Sequence, residues 1–178
     1  MIEEIIKADD SFSESTFLSN VDHIFIMILN SIQNNNMEDV RHYLANDVYV
    51  KFNNMINEYK NKNIRRCFDE MNVKSSKIVG NMITDNFITI EVELVYRYMD
   101  YFTDMDYNYI SGINDKRIEK IHKITLSKRR HTKHLEEARR CTYCGNILDI
   151  NNSGLCKFCR KPFNMEEYGY LVTYIDEI

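Results

Sequence analysis

Apolar residues in the first third of the chain recur at helical spacing. Phe17, Val21, Ile24, Phe25, Ile28 and Ile32 mark one face of a long helix. Ser11, three residues before Glu14, reads as its capping box. Asn34, Asn35 and Asn36 end that helix, and Met37, Val40, Tyr43 and Leu44 predict a short second one. Val48, Phe52, Met55, Ile56 and Tyr59 predict a third, behind a cap at Asn46 or Asp47. Ile64, Cys67, Phe68 and Met71 continue the same spacing for another turn or two, so the first 70 residues read as mainly helical.

The period changes near Asn72. Ile88, Ile90, Val92, Leu94 and Tyr96 alternate with Thr89, Glu91, Glu93 and Val95, the pattern of a half-buried strand. Asp85-Asn86 and the stretch "TDMD" are turn signals, and "YNYISG" and "IEKIHKITLSKRR" complete a meander of about four antiparallel strands. Helices followed by a run of strands predict an α+β fold, with helices packed on one face of a curved antiparallel sheet.

The cysteines change the picture at the C-terminal end. Cys141, Cys144, Cys156 and Cys159 have the spacing C-x2-C-x11-C-x2-C. Two CxxC turns can aim four thiolates at one point, the arrangement of a structural zinc ion with no position left for water. A rubredoxin-like iron site and disulfides are the alternatives. Gly145 follows the second cysteine where the chain must reverse, a place that suits positive φ. Cys67, on an apolar stripe, reads as a buried thiol and not a nucleophile. His131 and His134 could be imagined as ligands, but the four cysteines already complete a site. Asp104, Asp106, Asn108 and Asp115 have calcium-loop spacing, with Tyr109 where that loop needs glycine, so a hairpin is the better reading.

Charge divides the chain. Residues 1–115 carry 10 Lys/Arg against 19 Asp/Glu, and residues 116–140 carry 10 against 3. The organisation expected is an α+β domain over 1–130, a basic linker over 131–140, and a zinc ribbon with its tail over 141–178. Lys128, Arg129, Arg130, Lys133, Arg139 and Arg140 are the candidate partner-binding residues. They would dock an acidic partner or an anionic membrane surface, or be neutralised by Glu91, Glu93, Asp104 and Asp106 of the acidic body. Nucleic acid is the less favoured partner, since residues 141–178 carry 3 basic against 5 acidic side chains. The start "MIEEIIKADD" lacks the features of a secretory signal, which predicts a cytoplasmic protein, at most peripheral at the inner face of the membrane. No P-loop, GxGxxG or HExxH pattern occurs, and no catalytic residue is assigned.

The segment "ADDSFSESTFLSNVDHIFIMILNSIQNNNMEDVRHYLANDVY" resembles the start of a Tim forty-four-like (Tim44-like) domain, with Asp9, Asp10 and Phe12 forming its Asp-x-x-Phe opening. Asp100, Tyr101 and Gly112 are similar to the family's Asp-Tyr and hairpin glycine. One bacterial branch of that family adds a ribbon resembling "CTYCGNILDINNSGLCKFC", here with Asn146 and Ile147 in place of Ala-Pro and Tyr170 where relatives favour Trp. The resemblance implies a nuclear-transport-factor-two-like cone enclosing an apolar pocket. It also implies a role in protein transport or membrane association. The expected function is a non-enzymatic module that binds a protein, peptide or lipid, carries one structural zinc ion and is compatible with a homodimer. A small-ligand binder or an enzyme using the conical pocket, and a nucleic-acid binder using the basic segment and ribbon, are the alternatives.

Overall fold

The computed structural model describes residues 1–130, 141, 143–146, 155–161, 169–176 and 178. Helix α1 (Ile2–Ala8) is followed by α2 (Glu14–Gln33), a 3-10 helix (Glu38–Tyr43) and α3 (Asn46–Asn61). Strands β1 (Ile64–Ile83), β2 (Phe87–Asp104), β3 (Tyr109–Arg129) and β4 (Leu171–Ile175) then form one antiparallel sheet in the order β1-β2-β3-β4. The architecture is α+β, with the nuclear-transport-factor-two-like arrangement of helices against a curved sheet.

The apolar stripe on α2 buries as its spacing requires: Phe17, Val21, Ile24, Phe25, Ile28 and Ile32 all enter the core. They meet Ile88, Ile90, Val92 and Leu94, on the inward face of β2, in one continuous cluster. The residues between them on β2, such as Glu91, face outward. Tyr96, Tyr98, Phe25, Phe52 and Phe68 are fully buried and fill the interior of the cone. Tyr96 donates its hydroxyl to the Asp22 carbonyl of α2 at 3.0 Å, so its polar tip is satisfied at depth.

Two local expectations are corrected. The N-cap position of α2 is held by Ser13, without a side-chain capping bond, and not by Ser11, whose hydroxyl donates to Asp9 Oδ1 at 2.6 Å. Residues 64–71 are strand, not helix. An irregularity in the β1–β2 register between Asp69 and Asn72, with Glu70 at φ 51°, rephases the strand. Phe68 and Met71 therefore both pack on the core although they are three positions apart, which in an unbroken strand would place them on opposite faces, and this imitates helical spacing. Further irregularities at Val73/Ser75 and Ile78/Gly80 bend the same long strand around the helices.

"YNYISG" and "IEKIHKITLSKRR" form a single strand, β3, and the fourth strand comes from the chain after the cysteines. Leu171, Val172 and Ile175 of β4 are buried. The strand is held on its far side by the Ala45 N–H, which donates to the Val172 carbonyl at 2.9 Å, and by Lys51 Nζ on the Ile175 carbonyl at 3.0 Å. At the β2–β3 turn, Asp104 accepts the backbone N–H groups of Asp106 and Asn108, each at 2.9 Å, which makes it a hairpin acid. Gly112 has φ 102°, and a Cβ there would lie 2.5 Å from Tyr101 Cα, so the hairpin glycine is sterically required.

Candidate functional site

The link between α1 and α2 crosses the side of the cone, and a cavity of about 430 Å³ opens there. Its floor is apolar. Phe12 and Phe17 lie 5.4 Å apart between ring centroids, and Tyr170 closes on Phe17 edge-on at 5.0 Å. Leu126 of β3 and Val21 of α2 complete the wall, and exposed Ser13, Thr16, Asn20 and His23 form the rim. Asp9 and Lys128 meet inside it, with Nζ 2.6 Å from Oδ2 and side chains 14% (Lys128) and 8% (Asp9) exposed. The cavity is lined by no residue of β2, whose inward aliphatic side chains pack with the aromatic residues at the cone's centre.

The cysteine cluster is built from two copies of one turn. Cys141 N–H donates to the Asn146 carbonyl at 2.7 Å, and Gly145 N–H to the Cys141 carbonyl at 2.8 Å. Cys156 N–H donates to the Lys161 carbonyl at 2.9 Å, and Arg160 N–H to the Cys156 carbonyl at 2.9 Å. Gly145 (φ 71°) and Arg160 (φ 60°) occupy the same left-handed position in the two turns, so only one turn has a glycine there. The four sulfurs lie within 4.8 Å of one another, with 3.6 Å between Cys141 and Cys159 and between Cys144 and Cys156.

A tetrahedral ion with sulfur bonds of about 2.3 Å would set these edges at about 3.8 Å, whereas a disulfide needs a sulfur separation of about 2.05 Å. The geometry therefore fits a metal ion and not a pair of disulfides. Backbone N–H groups of Cys159 and Phe158 hold the Cys156 thiol down at about 6. The Cys159 thiol, despite the Lys161 N–H, is pushed up to about 11 by desolvation and the neighbouring sulfurs. One thiolate forms readily and further ones repel it, a balance that a cation at the centre would relieve. The side-chain amide of Asn146 donates to Cys144 Sγ at 3.6 Å.

The basic residues separate. Lys128 is committed to Asp9. Arg129 is exposed, with its guanidinium 5.5 Å from the Phe87 ring centroid, and Arg130 reaches the Thr84 carbonyl at 3.4 Å. Lys133, Arg139, Arg140, His131 and His134 lie outside the described residues. Of the acids expected to neutralise this segment, Glu93 pairs with Lys77 at 2.8 Å and Asp104 serves the hairpin. Among the described residues, the acid that meets Lys128 is Asp9, from the far end of the chain. Cys67 is buried, with its sulfur 3.8 Å from Thr103 Oγ1.

A second polar group lies within the sheet. Arg66 donates to both carboxylate oxygens of Asp100, at 2.9 and 2.8 Å, and Lys120 Nζ approaches the same acid at 3.0 Å. His122 is buried between the Tyr98 hydroxyl at 2.9 Å and Asp176 Oδ1 at 3.2 Å. These groups satisfy one another and tie β1, β2, β3 and the end of β4 together.

A family model for the Tim44-like domain matches residues 1–137. The chain belongs to the Tim44-like domain family. Domains of this family are associated with protein transport and with membrane-associated roles. A comparison with curated proteins found no match. Among the described residues, no helix is long and apolar enough to cross a membrane. The Tim44-like opening motif now has a physical role: Asp9 provides the cavity's carboxylate and Phe12 one of its rings. Sequence reasoning did not join these residues to Lys128 and Tyr170, which lie more than a hundred positions away. The one available sign was that Asp9, Phe12 and Tyr170 each belonged to a stretch carrying the family resemblance.

Proposed function

We propose that this Tim44-like protein is a non-enzymatic binding module that works in protein transport or at a membrane surface. In this reading it receives the apolar part of a protein, peptide or lipid in the cavity beside α2. The observation that carries the reading is that cavity: an aromatic floor with a polar rim, at a place where the buried charges of Asp9 and Lys128 are spent on one another. The reading places the protein in the cytoplasm or peripherally at the inner face of the membrane, in the bacterial branch that carries a ribbon. Arg129 and Arg130 supply attraction to an anionic surface, each worth about 1 kcal/mol near such a bilayer.

Flotation with phosphatidylcholine vesicles, with and without phosphatidylglycerol, tests the membrane part. Weak association with the anionic vesicles is expected, fading at physiological salt. A double change of Arg129→Glu and Arg130→Glu should abolish it, and Thr16→Trp at the cavity rim should weaken it. Association that survives the charge reversal, or absence of any association at low salt, would remove the membrane reading.

The four cysteines are proposed to hold one structural zinc ion, in a site that four protein ligands close. Freshly purified, reduced protein should contain about one zinc per chain, and Cys156→Ser should lose it. The cysteines lie on the connection between β3 and β4, so losing the metal lengthens the free loop between two paired strands. A lengthening of about twofold costs about 0.6 kcal/mol, equivalent to a melting-temperature drop of about 1–2 °C for a chain of this size. Zinc-free protein at purification would overturn the metal assignment. Complete unfolding by chelator would show that the ribbon is part of the main core.

A further inference from the structure

The two cysteine turns carry side chains that a metal site does not need. Tyr143 and Phe158 occupy the same place in the two turns, directly before the second cysteine of each. They are 61% and 62% exposed, and neither belongs to a packed apolar cluster. Cations lie beside them. Lys157, Arg160 and Lys161 are exposed, and they are all the Lys and Arg that residues 141–178 contain. The balance of 3 basic against 5 acidic side chains over that stretch therefore conceals a local excess on the second turn. Lys161 Nζ lies 4.6 Å from the Tyr143 ring centroid, so a cation of the second turn reaches the aromatic residue of the first. Among the described residues no ion pair involves any of the three. Four thiolates on one divalent ion leave two negative charges at the centre, fewer than the cations around it.

Arg160 is also held in a strained backbone. It has φ 60°, the left-handed region that Gly145 occupies in the first turn. Glycine adopts that conformation freely, and a residue with a side chain does not. The hydrogen bond that closes the turn uses only the Arg160 backbone N–H, which glycine would supply as well. The fold of the turn thus has no use for the guanidinium, and a strained residue of this kind points to a role outside the fold.

From the two exposed rings, the three cations and the strained arginine among them, we infer that the cysteine turns form a docking surface for single-stranded nucleic acid. Unstacked bases lie on Tyr143 and Phe158, and the phosphates between them meet Lys157, Arg160 and Lys161. A duplex keeps its bases stacked inside and offers only phosphates, and an acidic peptide offers charge without a flat face for the rings. The surface shares no residue with the cavity beside α2, so it stands whatever the cavity binds.

The test is a fluorescence-polarisation titration of the full, reduced chain at low salt. The probes are labelled single strands of about eight nucleotides, one oligothymidylate and one oligouridylate. Saturable binding of both is expected, because base stacking and phosphate contacts are common to DNA and RNA. Log affinity against log salt should fall with a slope of about −2, from three phosphate contacts at about −0.7 each. Tyr143→Ala and Phe158→Ala should each weaken binding by about tenfold without lowering the melting temperature. Lys157→Gln with Arg160→Asn should flatten the slope to about −0.7; asparagine tolerates the left-handed region, so the turn is kept. Thr16→Trp at the cavity rim should change nothing. Absence of saturable binding, or aromatic variants that bind as tightly as wild type, would overturn the inference. Equal competition by a duplex of the same length, or by oligoglutamate, would overturn it too, since the turns would then attract anions in general.

Discussion

Ile90→Asp is expected to leave little or no folded protein at room temperature. Ile90 is 0% exposed and sits midway along β2, hydrogen-bonded as a strand position between Asn81 of β1 and Leu126 of β3. Its side chain points into the cluster formed with α2. Losing that burial costs about 1.5–3 kcal/mol, and placing a carboxylate in that apolar cluster costs several kcal/mol more. Together these approach the whole stability of a typical domain, about 5–15 kcal/mol. Glu91→Gln, one residue along and on the exposed face, should change stability by less than about 0.5 kcal/mol. Circular dichroism melts of the two variants make the comparison. A folded Ile90→Asp protein with an unshifted midpoint would mean that β2 presents its other face to the helices.

Asp100→Ala should be the next most damaging change, with a loss of about 3–5 kcal/mol. The Arg66 and Asp100 side chains are 9% and 10% exposed, and the two hydrogen bonds between them are a matched fork. Without Asp100 the guanidinium stays buried beside Phe68 and Phe102, with the Ile178 carbonyl at 2.7 Å and the Tyr59 hydroxyl as its remaining partners and no carboxylate against it. Burial tends to raise the Asp100 carboxyl, but Arg66 and Lys120 hold it below the usual carboxylate range. Its folded value is therefore depressed, and the stability it provides is present above about pH 3.9, the ordinary value of the acid, and lost as pH falls through the folded value. Urea unfolding of the wild type should weaken in that acidic window, and the Asp100→Ala variant should lack that part of the decline. A variant as stable as wild type at neutral pH would show that the pair contributes nothing to the fold.

Much of this architecture was legible because burial on one face imposes a period. The α2 stripe and the alternation on β2 are each unambiguous, since every second or every third-to-fourth residue is constrained by the same core. The stretch from Ile64 to Met71 was misread for a definite reason. A register irregularity adds a residue to the alternation, and period two with one insertion looks like period 3.6 over a short window. The fold of the two CxxC turns was legible from spacing alone, because the turn is local and its hydrogen bonds span only four or five residues. The cavity was not. Asp9 and Lys128 are 119 positions apart, and nothing in composition says that an acid before α2 and a lysine near the end of β3 will share a buried site. The sequence grouped Lys128 with its basic neighbours by adjacency, whereas strand alternation turns it inward and leaves Arg129 outside.

In the proposed function, ligand enters the cavity beside α2, while the aromatic interior of the cone and the cysteine cluster take no part in binding it. Amide chemical-shift mapping during a titration with Prodan, a neutral naphthyl ketone that serves as an apolar probe, tests it most directly. Saturable changes should centre on Phe12, Phe17, Leu126 and Tyr170, with Cys141 and Cys156 unmoved. Changes centred instead on Tyr98 and His122, or on the cysteine turns, would contradict it.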